Sequence, residues 1–244
     1  MKVICIIPAR YGSTRFEGKP LAMICNKAMI QRVYEQAKKA KLIDEIYIAT
    51  DDIRIKNKAK EFGANVIMTS KDHTCGTDRI AEAIQRIEGD IILNLQGDEP
   101  LINPDSLDAL IKPLLDDAGI DMATLITVIN DKKEYNNPNI AKVVKDVNNF
   151  ALYFSRSLIP YSRDGDETDV YKQIGIYVYK REFLLKFSKM RPTVYENIEK
   201  LEQLRALEMG HKIKLIETKY NSIAVDRPED IITVEVALKK MCME

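Results

Sequence analysis

Short, nearly continuous apolar runs at residues 3–8, 45–50, 65–68 and 91–95 alternate with stretches at 29–41, 53–62, 77–87 and 104–115 that carry helical patterns. Strands covered by helices on both faces read as unbroken apolar runs, as Ile91-Ile92-Leu93-Asn94-Leu95 nearly does. The alternation predicts an α/β fold with a mainly parallel sheet. After Asp121 the rhythm changes. Runs at 122–129, 141–145, 151–155 and 174–179 read as strands joined by loops, with a polar mobile loop at 164–169. The region 121–180 therefore reads as an inserted β-rich lobe with antiparallel pairing. A helix over 195–209, a strand over 212–218 and a last helix from Pro228 complete the pattern, within one domain spanning residues 1–244. On the predicted helix 195–209 and the residue before it, Val194, Ile198, Leu201 and Leu204 recur at helical spacing. That spacing assigns them to the core, with Glu202 and Gln203 turned away from it, either towards a cleft or onto a solvated helix face.

Charge narrows the function classes. Lysine and arginine number 37, as do aspartate and glutamate, so nothing global draws the chain to nucleic acid or membrane. The N-terminal apolar run is too short for a signal peptide or a spanning helix. Cys5, Cys25, Cys75 and Cys242 are scattered without a Cys-x-x-Cys pair, which predicts reduced thiols and a cytoplasmic protein. With only His73 and His211 present, a histidine metal site or a Ser-His-Asp triad is excluded as an expectation.

Attraction for anions must then be local, and ligands of open parallel sheets sit beyond the carboxyl ends of the strands. The first predicted strand runs into Pro8-Ala9-Arg10-Tyr11-Gly12-Ser13-Thr14-Arg15-Phe16-Glu17-Gly18-Lys19. Cations, hydroxyls and glycines at a strand end suit a triphosphate, although a solvated basic loop has the same composition. The order of a P-loop is absent. The fourth predicted strand ends in Gln96-Gly97-Asp98-Glu99-Pro100, which puts carboxylates at the same edge, as a divalent cation on phosphate requires. A plain acidic turn would read the same way. Together the two are more specific than either alone.

With Ala49-Thr50-Asp51-Asp52, Gly76-Thr77-Asp78-Arg79, Lys142-Val143-Val144 and Ala151-Leu152-Tyr153-Phe154-Ser155-Arg156 added, the chain resembles the 3-deoxy-manno-octulosonate (Kdo) cytidylyltransferases, or CMP-Kdo synthetases. The likeness continues through Ile159-Pro160-Tyr161-Ser162-Arg163, Gly175-Ile176-Tyr177, Leu201-Glu202-Gln203-Leu204-Arg205 and Val225-Asp226, in the family's order. The resemblance implies a nucleotide-diphospho-sugar transferase-like fold with a β-rich dimerisation lobe, and a homodimer. It implies CTP and an acidic 3-deoxy-ulosonic sugar as substrates, with Mg²⁺ as cofactor. It assigns Pro8, Ala9, Arg10, Ser13, Arg15, Lys19, Gly76, Thr77 and Arg79 to the nucleotide, and Asp98 and Asp226 to the metal. Lys19, Arg10, Asp98 and Asp226 would then carry catalysis. Gln96, Arg156, Arg163, Gln173, Tyr177, Glu202 and Gln203 would line the sugar pocket.

Four positions depart from the family pattern. Glu17 and Ala28 replace prolines and Arg227 a threonine, while Gln173 replaces a histidine that faces the sugar. Glutamine keeps a donor and an acceptor but cannot become cationic, so the departure bears on which sugar is used. An 8-amino analogue of Kdo or a sialic-type acid, a glycosyltransferase, and a non-catalytic nucleotide-binding regulator remain as alternatives.

Overall fold

A computed structural model of the chain describes residues 1–12, 16–73, 75–165, 168–220 and 222–241. In chain order its strands and helices are β1 (Val3–Ala9), β2 (Met23–Ile24), β3 (Lys27–Ala28), α1 (Met29–Ala37), β4 (Glu45–Thr50), α2 (Ile53–Glu61), β5 (Asn65–Met68) and α3 (Gly76–Ala83). There follow β6 (Ile91–Asn94), α4 (Pro104–Asp116), β7 (Met122–Val128), β8 (Lys142–Lys145), β9 (Ala151–Ser155) and β10 (Tyr171–Lys180). The chain closes with α5 (Arg181–Phe187), α6 (Val194–Glu199), α7 (Leu204–Glu208), β11 (Lys214–Glu217) and α8 (Asp230–Met241).

The main sheet runs β11-β7-β10-β6-β1-β4-β5, with β8 and β9 attached through β10. Its β6-β1-β4-β5 half is parallel, while β10 lies antiparallel to both β6 and β7. Within 121–180, β7 and β10 thus extend the central sheet, and β8 and β9 form an antiparallel pair beside it. Side chains alternate across a strand. Val3, Cys5 and Ile7 of β1 accordingly pack under α1, α2 and α4, whereas Ile4 and Ile6 pack under α3, α5 and α7. Both faces of β1 are buried, which is why its sequence is an unbroken apolar run.

The predicted strands and the first four predicted helices all form, with ends shifted by a few residues. The predicted helix over 195–209 does not form as one piece. Lys200 adopts φ 54°, and α6 and α7 meet there at a turn. Val194 and Ile198 are consequently 66% and 72% exposed, and only Leu201 and Leu204 reach the core. Tyr161 is exposed as well. Ser13, Arg15, Cys242 and part of the predicted loop 164–169 lie outside the described residues. No described helix is long and apolar enough to cross a membrane.

Candidate active site

Parallel pairing of β1 with β4 and β6 brings their carboxyl ends to one edge. There a cleft of about 340 Å³ is lined by Pro8, Ala9 and Arg10 from the end of β1, and by Gln96, Gly97 and Asp98 from the end of β6. Lys19 and Pro20, then Cys75, Gly76 and Arg79 at the start of α3, and finally Asp226 complete its wall together with His73. Position 97 favours glycine, because an added Cβ would lie 3.1 Å from the carbonyl oxygen of Pro8, so that a larger residue would have to push the two segments apart. That close approach is what lets the β6 turn reach the end of β1.

Lys19 is the focus of the cleft. Its ammonium lies 2.6 Å from Asp98 Oδ2 and 3.6 Å from Asp226 Oδ1. Two residues 128 positions apart in sequence thereby converge on one cation. The amide of Val225 donates to the carbonyl of Asp98 at 2.9 Å, tying the two acidic segments together. Asp230 accepts the amides of Asp226 and Arg227 and so fixes the turn that carries Asp226. Just behind, Glu99 is buried and bonded by Ser222 Oγ. Burial pushes its carboxyl up to about 7, with the neighbouring charges of Asp98 and Asp226 adding to the effect.

At the α3 side, Cys75 Sγ caps the helix by accepting the amide of Asp78 at 3.4 Å. Burial raises this thiol to about 12, so it stays protonated. Arg79 is nearly inaccessible. It donates to Thr69 Oγ1 at 2.6 Å and lies 3.5 Å from Asp51. Thr77 donates to Glu202 Oε2 at 2.6 Å. Glu202 is in turn 3.7 Å from Arg205, whose guanidinium forks onto buried Glu196. Burial raises the Glu202 carboxyl above the usual range, partly offset by Thr77 and Arg205.

Across β6 from Lys19, Gln173, Tyr177 and Gln203 form a closed ring of hydrogen bonds. Gln173 Nε2 donates to Tyr177 Oη at 2.8 Å, Tyr177 to Gln203 Oε1 at 3.1 Å, and Gln203 Nε2 to Gln173 Oε1 at 2.5 Å. Thr124 sets the direction of the ring. Its hydroxyl proton is spent on the carbonyl of Ile176 at 2.8 Å, beside the irregularity between Ile174 and Tyr177 in β10. Thr124 Oγ1 can then only accept from Gln173 Nε2, at 3.2 Å. The ring is neutral, and Gln203 in it is only 3% exposed rather than turned outward.

The expected sugar residues therefore divide. Gln96 lines the cleft, while Gln173, Tyr177, Glu202 and Gln203 cluster beside it. Arg156 and Arg163 are not brought to that cleft: Arg163 is exposed, and Arg156 lines a second cavity of about 350 Å³ with Asn136, Pro138, Ser157 and Leu158. Arg156 ties down backbone there, donating to the carbonyls of Glu199, Pro138 and Lys200. Below it the fully buried Lys142 donates to the carbonyls of Asn137, Ile140 and Arg156. His73, Cys75 and Pro20 line the main cleft without having been singled out from sequence. The position of His73 and Cys75 directly before Gly76-Thr77 was the available signal.

A family model described as cytidylyltransferase matches residues 4–213. The 3-deoxy-manno-octulosonate cytidylyltransferase of Geotalea uraniireducens is 51% identical over 251 residues, covering 98% of this chain and 100% of that relative. The 8-amino-3,8-dideoxy-manno-octulosonate cytidylyltransferase of Shewanella pealeana is also 51% identical, over 242 residues, with 98% and 99% covered. Among solved structures, a CMP:2-keto-3-deoxy-manno-octonic acid synthetase complexed with CTP matches at TM-score 0.95 and 40% identity, covering 99% of this chain and 100% of that one.

Proposed function

The chain belongs to the cytidylyltransferase family, and from its cleft we propose that it transfers CMP from CTP to the anomeric hydroxyl of 3-deoxy-manno-octulosonate. The hydroxyl oxygen forms a bond to the α-phosphorus, the bond from that phosphorus to the bridging oxygen breaks, and pyrophosphate leaves. The hydroxyl proton is released to solvent. The observation that carries this reading is the convergence of Lys19, Asp98 and Asp226 at the edge where β1 and β6 end. Transfer at phosphorus needs mainly positioning and charge stabilisation. Lys19 and Arg10 supply cationic charge to the triphosphate, and the start of α3 at Gly76 and Thr77, with Arg79, takes the nucleoside.

Mg²⁺ is the proposed cofactor. Asp98 and Asp226, which share the Lys19 ammonium, offer hard carboxylate oxygens of the kind this ion prefers. Among the described residues no cluster of three or more His, Cys, Asp or Glu side chains could enclose a metal, so these two carboxylates alone would hold it. Asp98 and Asp226 would hold the ion, which when bound supplies positive charge against the phosphate oxygens.

The sugar would lie between Gln96 and the Gln173–Tyr177–Gln203 ring. A second reading, with an 8-amino analogue as acceptor, is favoured by that ring, because its neutral oxygens can accept from an ammonium group that a protonated histidine would repel. A homodimer is supported by the exposed apolar side chains Leu152, Val194, Tyr195 and Ile198 on β9 and α6, linked by the Tyr153–Tyr195 ring contact. A cytoplasmic setting is supported by the free Cys5, Cys25 and Cys75. The test is pyrophosphate release with CTP, Mg²⁺ and Kdo. Release that requires all three supports the reading, and none with either Kdo or its 8-amino analogue overturns it.

A further inference from the structure

The basic loop after β1 is closed at its base, and the closure is anchored from outside the cleft. The amide of Gly18 donates to the carbonyl of Tyr11 at 2.9 Å, so the chain returns to its starting point immediately before Lys19. Gly18 has φ +68°, and an added Cβ would lie 3.2 Å from Cε2, Cζ and Oη of Tyr11. The tyrosine ring therefore packs directly against the glycine backbone. Over the same ring sits the guanidinium of Arg54, its carbon 3.2 Å from the ring centroid.

Arg54 is itself held. Asp52 accepts from its Nε at 3.0 Å and its second terminal nitrogen at 2.7 Å. The same carboxylate caps α2 by accepting the Arg54 amide at 2.8 Å. A bidentate pair on a helix N-terminus fixes the plane of the guanidinium, as stacking on an aromatic face requires. A continuous chain of contacts thus runs from α2 through Arg54, Tyr11 and Gly18 to Lys19, and from Lys19 to Asp98 and Asp226. Arg54 does not line the cleft.

We propose that Arg54 is a positioning residue for nucleotide binding, clasping Tyr11 against Gly18 so that Arg10 and Lys19 are held ready for the triphosphate. The inference rests on the reading of that loop as the triphosphate site. An exposed cation–π contact is worth about 0.5–1 kcal/mol, so its loss should raise KM for CTP roughly two- to fivefold. Once CTP is bound its phosphates themselves hold Arg10 and Lys19 in place, so kcat at saturating CTP and KM for the sugar should stay within about twofold of wild type.

The experiment compares Arg54→Ala, Tyr11→Leu, Tyr11→Phe and the double variant Arg54→Ala/Tyr11→Leu, with thermal unfolding of each. Both single losses should raise KM for CTP alike, the double should be no worse than the poorer single, and Tyr11→Phe, which keeps the ring, should match wild type. Residues acting through one contact are non-additive in this way. Unchanged KM for CTP in Arg54→Ala, with or without a lower unfolding midpoint, overturns the clasp and leaves Arg54 a stability residue. Multiplicative losses in the double overturn it too, since Arg54 would then act independently of Tyr11. Wild-type protein that turns over no CTP would instead refute the reading of the loop.

Discussion

Replacing Gln173 by histidine tests the sugar side of the cleft most sharply. Gln173 donates to Thr124 and Tyr177 and accepts from Gln203. A neutral imidazole offers one donor and one acceptor, so at least one of those contacts must be lost. The partner left behind is in a buried setting: Thr124 is fully buried and Gln203 nearly so. Leaving such a group unpaired costs about 1–3 kcal/mol. Each kcal/mol lowers the unfolding midpoint by roughly 2–4 °C in a protein of this size. The ring also loses its single direction, because Thr124 can only accept at that point. Relative kcat/KM between Kdo and its 8-amino analogue should then move by roughly tenfold or more, the worth of one hydrogen bond to a charged group. KM for CTP should hardly change, since Gln173's hydrogen-bond partners Thr124, Tyr177 and Gln203 do not include Lys19, Asp98 or Arg10. The assay is steady-state kinetics on both sugars with both proteins, alongside thermal unfolding. A preference ratio that moves less than twofold would refute the assignment of the ring to sugar selection, and an undiminished unfolding midpoint would refute the hydrogen-bond accounting.

Three further outcomes follow from the same geometry. Lys19→Ala should lower turnover at saturating CTP by roughly 10²-fold or more while the protein still unfolds cooperatively, and activity within about threefold of wild type would remove the lysine from the chemistry. Asp98→Asn and Asp226→Asn should each weaken Mg²⁺ dependence, with the double variant no worse than the poorer single; independent, multiplicative losses would mean that the two carboxylates do not act on one ion. Glu202 has a carboxyl raised by burial, so the folded state holds its proton more tightly than the unfolded chain, and native stability falls as pH rises from the ordinary carboxylate range through the raised value. Glu202→Gln should flatten that fall in denaturant titrations across the window, and an equally steep fall would contradict the assignment.

Much of the parallel half of the sheet was legible because burial on both faces leaves no alternation to misread, as Ile4 to Ile7 of β1 illustrate. The strand-end motifs were legible for the same reason: once β1 and β6 are parallel neighbours, Arg10 and Asp98 must share an edge. The segment 194–209 was misread through its apolar spacing. Thr193 and Glu196 form a capping box that starts a short helix, and the buried Glu196–Arg205 pair holds the turn at Lys200. The box is visible in sequence, but the ion pair exists only after folding. Arg156 was assigned to the sugar pocket through the resemblance, and in the structure the backbone carbonyls of three separate residues engage it outside the main cleft. No local pattern encodes such a convergence. Arg54 escaped notice for a similar reason, because its partner Tyr11 lies on a different strand's loop.

The central claim is that the Lys19–Asp98–Asp226 cleft joins CMP to 3-deoxy-manno-octulosonate or its 8-amino analogue. Mass spectrometry of the products from CTP, Mg²⁺ and a mixture of Kdo, its 8-amino analogue and a sialic acid tests it in one reaction. The account predicts a CMP conjugate of Kdo or of its 8-amino analogue, formed in equal amount with pyrophosphate, and formed more slowly by roughly a hundredfold or more in Lys19→Ala. A conjugate of the sialic acid alone, or no conjugate and no pyrophosphate from a folded protein, would contradict it.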